Sequence, residues 1–212
     1  MLLNDFGLKT VALAAALLCG VSVVAAAQLA RAMVEKPDFE VVEKAAGYQV
    51  RRYPAQLVAQ VEVEGDADEA MNRGFRPLAD FIFGENVADS KIEMTAPVTQ
   101  RPKTSEKIAM TAPVTRQSAG ETHTVAFIMP AEYTLETLPR PKNDRVRIEE
   151  VPARTVAVIR FSWTGSHKHM VKKEAKLRAA LERDGVAVTG PPIYARYDPP
   201  WTVPLFRRNE VM

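Results

Sequence analysis

Few side chains in this sequence could do chemistry. His123, His167 and His169 are its three histidines. His123 opens an alternating stretch and shares a face with Val125, Phe127 and Met129. A histidine there is either hydrogen-bonded packing or an iron ligand. His167 and His169 form an H-x-H pair at the start of a helical pattern. Two positions apart they do not share a helix face, and a metal clamp needs more ligands. Tyr48, Tyr53, Tyr133, Tyr194 and Tyr197 each offer a phenol, and tyrosinate can hold ferric iron. A lone cysteine, Cys19, excludes an intrachain disulfide, a cysteine zinc set and a C-x-x-C-H attachment site. No nucleophile elbow, P-loop, GxGxxG or HExxH occurs.

Methionine is placed with more purpose. KIEMTAPVT, Lys91 to Thr99, returns as KIAMTAPVT, Lys107 to Thr115. In a strand, Ile92, Met94, Ala96 and Val98 point one way, and Ile108, Met110, Ala112 and Val114 repeat that face. The pattern predicts two half-buried strands joined by the polar turn TQRPKTSE, with THTVAFIM, Thr122 to Met129, as a third. Pro97 and Pro113 each remove a ladder donor and belong at strand ends or edges. Met94 and Met110 either fill a core or line a cavity, where a flexible thioether suits a flat apolar ligand.

Elements that would position these residues come twice. YQVRRYPAQLVAQVEVEG, Tyr48 to Gly65, aligns without gaps on VRIEEVPARTVAVIRFSW, Val146 to Trp163, at an offset of 98. Each ends in a β-branched alternating run after its proline. A helical pattern follows each. In DADEAMNRGFRPLADFIF, Asp66 to Phe83, the apolar stripe is Met71, Phe75, Leu78 and Ile82. Asp66 or Asp68 caps it, Gly84 ends it, and Pro77 should kink it or split off its last turns. In Ser166 to Asp184 the stripe is Met170, Leu177 and Leu181, with Ser166 as cap and Gly185 as stop. The expected fold is an α+β duplication of strand-helix-strand halves with pseudo-twofold symmetry.

The composition fits a globular domain: 47% of the 212 residues are apolar, 25% are charged, and the net charge is +2. Near-neutrality argues against a nucleic-acid surface. Val11 to Ala30 holds no charge and is about long enough to cross a bilayer. It also fits a secretory signal ending at Ala25-Ala26-Ala27. The expected organisation is residues 1–30 as signal peptide or membrane anchor, 31–38 as linker and 39–212 as the domain. An exported, periplasmic or membrane-anchored protein is expected, held to the membrane through residues 11–30 if they are uncleaved.

Five phrases carry a family resemblance: the two methionine phrases, GFRPLADFIFGEN, YTLETLPRP and ARYDPPWTVPLFRRNEV. Together, across about residues 39–212, the chain resembles the SOUL haem-binding family. The resemblance implies a distorted antiparallel β-barrel of two similar halves with two helices outside. It implies a non-enzymatic domain that binds haem or another tetrapyrrole non-covalently, in an apolar groove between barrel and helix. Carried onto this chain, Met71, Phe75, Leu78, Met94 and Met110 are the apolar contacts, and Arg76 pairs with a propionate. His123 is the candidate iron ligand; the resemblance fixes none. A monomeric domain without a nucleic-acid partner is expected. Two rival readings stand beside this one. A small-molecule hydrolase or effector-sensing domain on the same fold predicts a buried carboxylate, with Glu93 and Glu132 nearest. A protein-interaction scaffold predicts an exposed apolar patch.

Overall fold

In the computed structural model, residues 34–88 and 105–212 are described. The apolar run 11–30 and the first methionine phrase, with Glu93 and Met94, lie outside them. No described helix is long and apolar enough to cross a membrane.

Strands β1 (Glu40–Ala45), β2 (Tyr48–Tyr53) and β3 (Gln56–Glu64) lead into helix α1 (Ala67–Ile82). The short β4 (Asn86–Val87) follows, then β5 (Val114–Ala119), β6 (Thr122–Ile128) and β7 (Arg140–Pro141). The second half runs β8 (Arg147–Val151), β9 (Arg154–Phe161), helix α2 (His167–Arg183), β10 (Tyr194–Arg196) and β11 (Asn209–Val211). Nine strands form one antiparallel sheet in the order β1-β2-β9-β11-β10-β5-β6-β3-β8. The expected barrel is instead a curled half-barrel, whose edges β1 and β8 are joined by no ladder among the described residues. Helix α1 packs on β3 and β6, and α2 on β9 and β11.

The 98-residue offset reappears as geometry. Gln49 to Tyr53 of β2 pair with Val158 to Arg154 of β9. Shifting both partners by the offset gives Arg147 to Val151 of β8 against Gln60 to Gln56 of β3, which is the observed register. Each half therefore lends its first strand to the other. Alternation sets what each strand buries. Leu57, Ala59, Val61 and Val63 face α1, and Ala157, Ile159 and Phe161 face α2. Val58 lies in a separate small cluster with Ala126 and Ile128, on the face away from the helices.

Three local expectations change. Helix α1 continues through Pro77 to Ile82, so of the expected kink or split the split does not occur. Leu78, Phe81 and Ile82 beyond the proline are all buried, and that burial offsets the roughly 3 kcal/mol a helical proline costs. The second methionine phrase is not a strand until Val114. Its N-terminal part runs along the end of α1, where Ile108 N–H donates to Ile82 O at 2.8 Å. Within the expected linker, Glu35 is tied into the fold: its carbonyl accepts from Ala112 N–H and its Oε1 from Ala131 N–H, both at 2.9 Å.

Candidate functional site

Helix α1 turns Ala70, Met71, Leu78, Phe81 and Ile82 onto the sheet, where they join Val61, Val125 and Phe127 in one core. Met71 and Leu78, expected as ligand contacts, are therefore packed under the helix. The approach is close enough that a Cβ on Gly74 would lie 2.6 Å from Val125. Phe75 departs from its stripe. It sits at the helix margin, 38% exposed, with its ring edge on Phe127 at a centroid distance of 5.1 Å. Val114 stands directly across from Phe127 in the β5–β6 ladder. Four residues before Val114, Met110 is 40% exposed. Arg76, next to Phe75, is exposed.

These side chains make an apolar margin running from α1 through Phe75 and Phe127 to Val114, with a cation beside it. Of the expected contacts, Phe75, Arg76 and Met110 reach solvent, Met71 and Leu78 do not, and Met94 lies outside the described residues. Met110 does not share the burial of Ile108 and Ala112, because that segment follows the helix end and Glu35 before it enters the sheet.

His123 belongs to a different structure. The β5–β10 ladder sets Arg116 opposite Tyr194, where the two halves meet. The buried Arg116 guanidinium lies over the Tyr194 ring at 4.8 Å. It donates to Ser118 Oγ at 2.7 Å, to His123 Nδ1 at 3.1 Å and to His167 Nδ1 at 3.2 Å. His123 Nε2 donates to Gly65 O at 2.8 Å. Both ring nitrogens of His123 are thus engaged inside the fold, as in a hydrogen-bonded packing histidine, and neither is open to iron in this arrangement. His169 Nδ1 pairs with Thr164 O at 2.8 Å, and its ring packs on Phe161. Burial lowers the Arg116 pKa, and Tyr194, Asp68 and Asp66 oppose it only in part.

The phenols are equally committed. Tyr194 donates to Glu174 and Tyr197 to Glu210. Burial, then the adjacent carboxylate, pushes both pKa values up. Tyr133, donating to Glu106 at 3.0 Å, is raised to about 12, first by burial. A phenol so held resists becoming a tyrosinate ligand. Glu210 was not anticipated from sequence. It is the buried carboxylate among the described residues, and it accepts from Arg51 at 3.0 Å, Arg208 at 2.8 Å and Tyr197 at 2.8 Å. Glu132 is exposed and Glu93 lies outside the described residues. No group of three His, Cys, Asp or Glu side chains is placed to hold a metal among the described residues.

In class, this is a curled antiparallel sheet with an internal repeat and two helices on one face. The C-terminal domain of EcmrR shares that fold, with a TM-score of 0.55 at 11% identity over 77% of this chain and 93% of that one. Residues 34–212 match the model of the SOUL heme-binding protein family, and the chain belongs to that family. It is 31% identical to human Heme-binding protein 2 over 88% of this chain and 89% of the relative. It is also 29% identical to Heme-binding protein 1 of Sus scrofa over 77% of this chain and 82% of the relative.

Proposed function

We propose that this chain is a non-enzymatic, non-covalent binder of haem or a related tetrapyrrole, at the margin of α1. Family membership supports the ligand class. The observation that carries the location is Phe75, left 38% exposed on a helix whose other large apolar residues are buried, and stacked edge-on against Phe127. Exposed apolar side chains with an adjacent guanidinium fit a flat apolar ring bearing carboxylates at its rim. With His123 committed to the fold, the binding energy comes from ring burial and the rim cation instead of a dedicated histidine. Supplying the purified protein with hemin should give a saturable Soret shift at micromolar concentration. Phe75→Ala should weaken binding about tenfold, which matches roughly 1.4 kcal/mol of lost ring contact. An unchanged affinity would remove α1 from the site. Arg76→Gln should weaken it only a few-fold, because an exposed ion pair is worth under about 1 kcal/mol. Placement outside the cytoplasm or at a membrane, through residues 11–30, belongs to the same reading; recovery in the soluble cytoplasmic fraction would oppose it.

Glu210 gives the hydrolase reading no support, since its carboxylate is already held by two guanidinium groups and a phenol. One observation favours the scaffold reading as a second function. Trp163, Trp201, Leu205 and Phe206 are all exposed, and Trp163 N–H donates to Pro204 O at 2.8 Å, which brings their two segments together. Trp201→Ser with Leu205→Ser should leave the hemin titration unchanged if that surface serves another partner.

A further inference from the structure

The sheet has a second face, turned away from both helices, and one guanidinium on it, that of Arg154, has no carboxylate partner among the described residues. In the β2–β9 ladder, Tyr53 stands opposite Arg154 and Arg51 opposite Val156. Since Ala157, Ile159 and Phe161 face α2, Arg154 and its ladder partner Tyr53 face the other way. Gln56 and Val58 share that side, because Leu57 and Ala59 face α1. On this side Arg51 and Arg208 have one carboxylate between them, that of Glu210. Its remaining capacity is taken by Tyr197. Among the described residues no carboxylate pairs with Arg154.

The Arg154 guanidinium shows the consequence. Nη2 donates to Gln56 Oε1 at 3.3 Å, and Gln56 is the residue 98 positions earlier, its counterpart in the first half. Nε and Nη1 are buried and have no hydrogen-bond partner among the described residues. Arginine stays protonated in proteins, so buried guanidinium N–H groups left without acceptors are an unmet demand for negative charge. Burial draws its pKa down, with only the Tyr53 phenol opposing. The residue is half-buried and lies beside two exposed links, Pro54-Ala55 and Pro152-Ala153.

We propose that Arg154 is an oxyanion-binding site: Nε and Nη1 donate to the oxygens of a small carboxylate or phosphate, with Gln56 and Tyr53 beside it. The site lies on the sheet face opposite α1, so it is separate from the tetrapyrrole margin. Its ligand is recognised by charge and two N–H donors, not by apolar area.

The test is thermal unfolding of the full chain in acetate, inorganic phosphate or chloride at matched ionic strength. Acetate or phosphate should raise the midpoint by a few degrees above chloride, saturably. A response to acetate alone assigns a carboxylate ligand, to phosphate alone a phosphate, and to both a general oxyanion site. Arg154→Leu should unfold in chloride no earlier than the parent protein and should lose the oxyanion increment. The Arg154 Nε–H resonance should move with the effective anion and not with chloride, which needs no variant. Equal midpoints in all three salts, or an increment undiminished in Arg154→Leu, overturns the proposal. Neither result bears on the hemin titration.

Discussion

Helix α1 buries nine of its sixteen residues, whereas α2 buries three of seventeen, Met170, Leu177 and Leu181. Both helices follow strands in matching register, and both rest on the same face of one sheet. Their difference lies in what each was free to change. Gly74 lets α1 approach β6 until side chain meets backbone, while the matching stripe position in α2, Lys173, is half-buried with its ammonium over the Phe161 ring at 5.2 Å. Asp66 caps α1 with its own carboxylate, through Asp68 N–H at 2.9 Å and Glu69 N–H at 3.1 Å. Ser166 makes no such bond; instead His167 N–H donates to Asp68 of α1 at 3.0 Å. The second half thus borrows its cap from the first. Arg196 joins the same carboxylate at 3.1 Å. Duplication preserved the ladders, and the close packing stayed with one copy.

Arg51 and Glu149 occupy matching strand positions and test this most severely. Arg51 is buried against Glu210, and Glu149 is exposed. Arg51→Met should cost about 2–3 kcal/mol, because the buried Glu210 loses one of its two cations and keeps only Arg208 and Tyr197. Glu149→Gln should fall within about 0.5 kcal/mol of the parent in chemical denaturation. Equal losses would mean that the halves share their burden. Next comes Gly74→Ala, whose new Cβ must displace Val125 or the helix, at about 1–3 kcal/mol. Lys173→Ala, at the matching position, should cost under about 1 kcal/mol, the worth of a cation over an aromatic ring near solvent.

How much of this was legible in the sequence follows the same division. The stripes Met71, Leu78, Ile82 and Met170, Leu177, Leu181 were readable because a helix period and burial are one signal. The ladders were readable because the offset had no gaps. Phe75 sits on the helix stripe yet at its margin, and only the position of β6 decides that it is exposed. The barrel could not be distinguished from an open curl, because closure depends on whether β1 and β8 meet, and no local pattern encodes that. Arg51, Arg208 and Glu210 converge from opposite ends of the chain, so their network was invisible before the fold existed. His123 was placed on the correct face, and the bonds that occupy it come from β5 and from Gly65 at the far end of β3.

A smaller contrast lies at the junction of strand and helix. Gly65 takes a φ of +101°, and at the same offset Trp163 takes +86°. The backbone there needs the left-handed region in both halves, and only the first supplies a glycine. Trp163→Gly should stabilise the chain by about 1 kcal/mol, since the indole is more than half exposed and little packing is lost. Gly65→Ala should destabilise it by a similar ~1 kcal/mol. A tryptophan whose removal lowers stability would instead be anchored by contacts worth more than its strain.

The finest contrast is between the two caps, and it carries a pH signature. Glu69 N–H, then Asp68 N–H, hold the Asp66 carboxyl below its ordinary value of 3.8. A depressed carboxylate adds stability that is complete above the unfolded value and is lost as the pH falls through the folded one. Asp66→Ala should therefore unfold earlier than the parent at neutral pH, and the gap should close on acidification through about pH 4 and below. Ser166→Ala, which removes no side-chain cap bond, should track the parent across that window. If the Asp66→Ala gap stayed constant with pH, the aspartate would be acting by shape, and the claim that α1 carries its own charged cap while α2 borrows one would fail.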